Sequence, residues 1–428
     1  MALQPFGTLN TIRLQFDNLT AISVFYISLN PLIYTIFRMW NFDDPAGREG
    51  TNCIKYDRRE ETFGVNDVIP MWVADMDFNT PDFVVESLQK RLNHEIYGYS
   101  FRQPVYFQSM IDWIKNRHNW IIEKGWISFS PGIVPALNFC TLAFTGAGDS
   151  IIVQPPVYFP FFSAAESHGR NLIYNRLIES EGKWVMDYNS LIGGIDSKTK
   201  MIIICNPHNP VGRVWTPEEL NDLADICLKN NILIISDEIH CDLVLPGFTH
   251  TPLASLSEKI AANTVTLIAP SKTFNLAGLS TSSVIIPNPV LRKSFNRIVD
   301  NLHVGSGNIF GTEASIAAYT HGHKWLDALL DYIDNNIEFI KDYCAKMIPE
   351  VIPVQPEATY LIWLDCRKFG MTGKDLQNFF VTKAGIGMNE GSTFGPGGEG
   401  FMRMNVGTTH QKIMKAMEQI EKAVSVLR

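Results

Sequence analysis

The chain has 428 residues, a net charge of −8 and a pI near 5.7, a length suited to two domains rather than one ordinary core. Apolar residues make up 46% and charged residues 19%, which marks a globular protein and excludes a disordered or low-complexity chain. The acidic balance, with no basic patch, excludes a nucleic-acid surface, and seven scattered cysteines without a C-x-x-C pair argue against zinc and for reduced thiols in a cytoplasmic setting.

The first forty residues stand apart. Asn18 to Phe37 carry no charge over twenty positions, long enough to cross a bilayer. Asn18, Asn30 and Pro31 dilute the run, and Arg13, Asp17 and Arg38 give no clear orientation signal. A basic n-region and a small-residue cleavage site, the marks of a signal peptide, are both missing. The stretch reads either as an anchor or docking segment, with membrane contact only in the anchor case, or as an extension foreign to the protein, whose start is then Met39.

An irregular, polar arm follows from Asn41 and tightens at Met71-Trp72-Val73-Ala74-Asp75-Met76-Asp77-Phe78. Its two acids read as a turn cap or, alternatively, as a metal or acid/base pair. Thr80-Pro81-Asp82 is expected to start a helix with Thr80 as N-cap and Pro81 at its first position. The Tyr97-Gly98-Tyr99 turn and a helix near Tyr106 to Asn116 come next. A strand at Trp126 to Ser130 then runs into Pro131-Gly132-Ile133-Val134, a glycine turn opening a helix whose amides suit an anion.

From Ser150 the pattern alternates regularly. Strands are expected at Ser150 to Gln154, Asn171 to Tyr174, Met201 to Cys205, Ile232 to Ser236, Val265 to Ala269 and Ser282 to Ile286, with helices at Pro160 to His168 and Pro217 to Lys229. Near-continuous β-branched runs separated by helices predict an α/β fold with a mostly parallel sheet covered on both faces. After about Ala328 the text changes to a long helix (Leu329 to Met347), a strand Ala358 to Leu364, a glycine-rich loop 391–398, a strand Phe401 to Val406 alternating in and out, and a last helix from Thr409. This predicts a smaller α+β domain. The expected division is 1–40 extension, 41–85 arm, 86–327 large domain and 328–428 small domain.

Lys272 is the focal residue. It lies between the apolar run Thr264 to Ala269 and Phe274, Leu276, Ala277 and Leu279, with no further charge until Arg292. An ammonium there is poorly hydrated, which lowers its pKa from about 10.4 and frees the amine as a nucleophile. Such an amine suits covalent attachment of a carbonyl cofactor, usually pyridoxal phosphate. Tyr158, Asn209, Asp237 and Lys272 all fall just past strand ends, where open α/β sheets bind ligands.

The segments N-P-H-N-P-V-G (206–212), S-D-E-I-H (236–240), S-K-T-F-N-L-A-G-L (271–279) and R-M-N (403–405) together resemble a fold-type I pyridoxal-phosphate enzyme of the class I/II aminotransferase superfamily. M-W-V-A-D-M-D-F (71–78), G-Y-S (98–100) and T-Y-L-I-W-L-D (359–365) are similar to the MalY/PatB-like cystathionine β-lyase branch, and the likeness runs from about Asn41 to Arg428. It implies a seven-stranded sheet. It also implies that Lys272 holds the cofactor and moves the substrate Cα proton, that Asp237 pairs with the pyridinium nitrogen, and that Asn209 donates to the phenolate oxygen. By the same resemblance Tyr158 stacks on the ring, and the amides of Gly132, Ile133 and Val134 with the Ser271 hydroxyl hold the phosphate. Arg403 takes the substrate α-carboxylate, His240 stands where many relatives put a tyrosine, and Tyr99 reaches the phosphate of a partner subunit, so that a homodimer shares its sites.

Many aminotransferases place an arginine two residues beyond the glycine of the lysine turn; here that residue is Ser280. The lyase branch tends to lack the arginine too. The implied activity is elimination of a thiol from cystathionine or a related cysteine S-conjugate, giving pyruvate and ammonia. The competing readings are an aminotransferase on the same scaffold and a regulatory binding protein that keeps the cofactor site.

Overall fold

Seven strands make the central sheet: Ile127–Ser130 (β1), Ser150–Val153 (β2), Asn171–Tyr174 (β3), Thr199–Cys205 (β4), Leu233–Asp237 (β5), Thr264–Ile268 (β6) and Ser282–Ile285 (β7). In the computed structural model, which describes residues 40–371 and 373–428, they lie in the order β1-β7-β6-β5-β4-β2-β3. Every pair from β6 to β3 is parallel, and β7 is antiparallel to both neighbours. The uncharged run 18–37 lies outside the described residues. Among the described residues no helix is long and apolar enough to cross a membrane.

The strands are apolar at successive positions because both faces are buried. Ile151, Ile203 and Ile235 pack toward helix Ile133–Phe144 (α1), whereas Ile152, Ile202 and Ile234 pack toward helix Pro217–Lys229 (α2). Each such side chain contributes about 1.5–3 kcal/mol by leaving water. Helix α2 starts where expected, because Thr216 and Glu219 form a reciprocal capping box on either side of Pro217 that satisfies amides otherwise without partners.

The short helix Pro270–Thr273 (α3) carries Lys272, and a long helix, His323–Met347 (α4), runs across position 327/328. Beyond it, Ile352–Pro353 (β8), Leu361–Asp365 (β9), Asn389–Glu390 (β10) and Phe401–Asn405 (β11) form an antiparallel sheet in the order β8-β9-β11-β10. Helix His410–Ser425 (α5) ends the chain. Trp363 stacks on Phe401 with centroids 5.2 Å apart, and both join Trp215 and Leu220 in one core cluster. The two sheets are therefore joined by a shared apolar layer.

Several local expectations are corrected. Helix Asp82–Leu92 is capped by Pro81 and not Thr80: the Pro81 carbonyl itself accepts from Val84 and Val85 at 3.0 and 3.2 Å. Strand β9 starts at Leu361, three residues late, because Thr359 adopts φ 77° and breaks the extended run. Strand β11 does not alternate in and out, since all five residues are buried; it is an inner strand of its sheet, and its polar side chains face the site. Asp75 and Asp77 belong to an ion cluster, in which Asp77 accepts from Lys55 (3.0 Å), Tyr56 (2.7 Å), Thr408 (2.7 Å), Lys412 (2.9 Å) and Arg48 (3.0 Å).

Candidate active site

The carboxyl ends of β4, β5 and β6 open into a cavity of about 220 Å³, lined by Gly132, Ile133, Val134, Tyr158, Asn209, Asp237, His240, Ser271 and Lys272. Nine of the eleven residues singled out from the sequence thus converge. Arg403 reaches the same place through Asn209, and Tyr99 stands apart, fully exposed. A larger groove between the arm and α5 contains none of these groups.

Each side chain is set by its element. Asp237 is the last residue of β5, so the parallel ladder delivers its carboxylate to the sheet edge. It accepts from the Ile239 amide at 3.1 Å, and burial pushes its carboxyl up to about 7. Lys272 sits one turn past β6, and burial lowers its ammonium to about 8 against the pull of Asp75. Its Nζ donates to the carbonyl of Ala74, which also lines the cavity.

Arg403, on β11, is 3% exposed. Its Nη1 donates to Asn209 Oδ1 at 3.0 Å, and Nη2 donates to Asn389 Oδ1 at 2.7 Å and to the Trp72 carbonyl at 2.8 Å. Nε has no partner. Among the described residues no carboxylate pairs with this guanidinium, and burial lowers it to about 10. The bond from Arg403 fixes the Asn209 amide with its oxygen toward Arg403 and Nδ2 as the donor edge. His240 is buried with Nδ1 unpartnered among the described residues and is held neutral, its pKa lowered to about 3 by burial and by Lys272 and Arg403. Ile133 and Val134 occupy the first turn of α1, where amides lack intrahelical acceptors.

Sequence reasoning missed three kinds of support. The strap Met71–Phe78 supplies backbone carbonyls, which carry no side-chain signature. Tyr360 and Asn389 contact the strap and Arg403 respectively. Behind the cavity, Asp242 accepts from Trp113 (2.9 Å), His118 (2.8 Å) and the Thr273 hydroxyl (2.9 Å), tying α3 to the loop after β5. His118, Cys241 and Asp242 bring their ligand atoms within 4.8 Å of one another, but those hydrogen bonds already engage both Asp242 oxygens.

Chemically, the cavity offers a low-pKa amine, a buried carboxyl short of a cation and a helix N-terminus, with a buried guanidinium short of an anion next to it behind Asn209. A mostly parallel sheet with a lysine turn at its carboxyl edge defines the class: a profile of the family "Aminotransferase class I and II" matches residues 66–420, and the chain belongs to that family. Among its relatives, the cystathionine beta-lyase PatB of Bacillus subtilis is 42% identical over 386 residues, covering 90% of this chain and all of PatB. Among solved structures, cystalysin from Treponema denticola, which contains pyridoxal 5'-phosphate, matches with a TM-score of 0.88 at 37% identity, over 91% of this chain and 100% of its own. The pyridoxal-phosphate-bound C-S lyase from Staphylococcus hominis matches with a TM-score of 0.84 at 32% identity, over 90% and 98%.

Proposed function

We propose that the protein is a pyridoxal-phosphate-dependent carbon–sulfur β-lyase that cleaves cystathionine or a related cysteine S-conjugate into a thiol, pyruvate and ammonia. The observation that carries this reading is the convergence of Lys272, Asp237 and Asn209 on one cavity, with Arg403 bonded to Asn209 behind its wall, in a chain similar along its length to lyases of this type. Residues 86–327 serve as the cofactor-binding domain, and residues 328–428, with the arm 41–85, bring Arg403 to it.

The cavity suits the cofactor on its own terms. Asp237 is a buried carboxyl whose raised pKa marks the need for a cation, which a protonated ring nitrogen meets. The first-turn amides of α1 and the Ser271 hydroxyl suit a phosphate. Asn209 Nδ2 suits an anionic ring oxygen, and Tyr158, partly buried on the cavity wall, suits stacking. When bound, pyridoxal phosphate supplies an electron sink for negative charge at the substrate Cα.

The chain's own residues do the rest. Arg403 binds the α-carboxylate through charge-assisted hydrogen bonds, and Asn389 and Trp72 hold the guanidinium in place for it. Lys272 Nζ, released as a neutral amine, takes the proton from Cα. As the Cβ–S bond breaks, the electron pair leaves with sulfur, and the same Nζ is placed to return a proton to that thiolate. The unsaturated amino acid that remains hydrolyses to pyruvate and ammonia. Neutral His240 adds no second positive charge beside Lys272. Tyr99, exposed in the single chain, completes the site from a partner subunit in a homodimer.

Incubation with cystathionine, read by thiol and pyruvate assays with the visible absorbance followed in parallel, tests the reading. Equal amounts of homocysteine and pyruvate are expected, and Lys272→Ala should lose both the visible band and turnover, by about 10²–10⁴-fold for the latter. Absence of thiol together with ready amino transfer to a keto acid would make the protein an aminotransferase instead.

A further inference from the structure

The strap from Met71 to Met76 hands its carbonyls to named donors. Met71 O accepts from the Asn405 amide, Trp72 O from Arg403, and Met76 O from Asn275 Nδ2, while Val73 O and Asp75 O share Asn405 Nδ2. None of these donors is Lys272. Ala74 O differs, for its donors are the Lys272 ammonium and the Tyr360 hydroxyl, the latter at 3.0 Å. A carbonyl has two lone pairs and can hold both donors at once. Tyr360 is fully buried and stands edge-on to His240, with ring centroids 6.4 Å apart, so its hydroxyl has no solvent to turn toward.

Resting on the reading that Lys272 attaches to pyridoxal phosphate, we propose that Tyr360 is a positioning residue: its hydroxyl holds the Ala74 carbonyl as the docking acceptor for the free Lys272 ammonium and keeps that carbonyl hydrogen-bonded when the amine leaves it for the cofactor. Lys272 has to give up Ala74 O each time it is engaged, and the contact is open to it again only when the lysine is free. A buried carbonyl left bare at that moment costs free energy that would oppose attachment. With Tyr360 present the carbonyl is never bare.

The consequence is a conditional effect. In Tyr360→Phe the cofactor-free protein still satisfies Ala74 O through Lys272, so its thermal midpoint stays near that of the parent. The attached form loses the acceptor's only remaining donor among the described residues, so the dissociation constant for pyridoxal phosphate, read by visible absorbance, rises about tenfold. In a Lys272→Met background the amine is gone, and Tyr360→Phe now lowers the midpoint of the cofactor-free protein. A Tyr360→Phe change that lowers the cofactor-free midpoint equally in both backgrounds, or that leaves cofactor affinity unchanged, overturns the proposal and makes the hydroxyl a structural one. If the unmodified protein takes up no pyridoxal phosphate at Lys272, the functional reading fails. The comparison between the two cofactor-free backgrounds then still decides whether Tyr360 and Lys272 share the acceptor.

Discussion

Asp237 and Lys272 are shifted in opposite directions by one cause, burial of the charged form. The Asp237 carboxyl rises to about 7 and the Lys272 ammonium falls to about 8. The signs differ as stability effects. Folded Asp237 keeps its proton where the unfolded carboxylate has lost it, so its contribution is present in acid and is lost as pH rises to about 7. Unfolded Lys272 keeps its proton where the folded amine has lost it, so stability recovers as pH rises from about 8 toward the ordinary lysine value. In the cofactor-free protein Asp237→Asn should therefore be more stable than the parent at pH 8, by up to a few kcal/mol, and close to it at pH 4. The same variant should lose turnover by roughly 10²-fold or more. Urea melts at the two pH values check the first statement. These two residues were legible in the sequence because a polar group directly after an apolar strand is a local pattern. The acceptor of Lys272 was not, since 198 positions separate Ala74 from the lysine and a backbone carbonyl has no residue signature.

At the scale of elements, the strap shows how an irregular segment is held without being part of a large sheet. Asn275 grips Met76 through both its N–H and its carbonyl, at 3.0 and 2.9 Å, and Asn405 grips Val73 and Asp75. Below them Asp77 gathers Lys55, Lys412, Arg48, Tyr56 and Thr408. Burial would raise the Asp77 carboxyl, but Lys55, Lys412 and the Thr408 hydroxyl outweigh it and hold it well below the usual carboxylate range. Asp77→Asn leaves Lys55, 1% exposed, facing a neutral amide, with the Asp75 carboxylate at 3.8 Å as its remaining anion among the described residues. The expected loss is about 3–5 kcal/mol in a urea melt at pH 7. Because the folded-state pKa is depressed, the parent's advantage is present above the ordinary carboxylate value of about 3.9 and shrinks as pH falls below it. The sequence left Asp75 and Asp77 between a turn cap and a reactive pair, because their partners come from residues 48–56 and 408–412, and only packing brings those together. Strand β11 was misread for a related reason: a buried arginine looks like an outward residue until the site it faces is known.

At the scale of the whole molecule, Tyr99 and its neighbours Ile96, Tyr97 and Phe101 are exposed together. Such a patch suits an interface between copies, and a shared site follows if Tyr99 completes the partner's cavity. Mixing Lys272→Ala subunits with Tyr99→Ala subunits under exchange should restore up to about a quarter of the parent activity, since half the dimers are mixed and each has one intact site. No recovery, with exchange verified by mass, would place Tyr99 outside the shared site.

By itself the sequence determined what repeats locally. Burial on both faces imposes apolar runs on parallel strands, and the residues that end those runs, Asn209, Asp237 and Lys272, mark the carboxyl edge, where open α/β sheets bind ligands. Tertiary structure alone decided which groups from distant segments meet there. Trp72 and Ala74 of the strap, Tyr360, Asn389 and Arg403 lie far apart in the chain, and their hydrogen bonds depend on distance and direction in the folded molecule, which no spacing along the chain encodes.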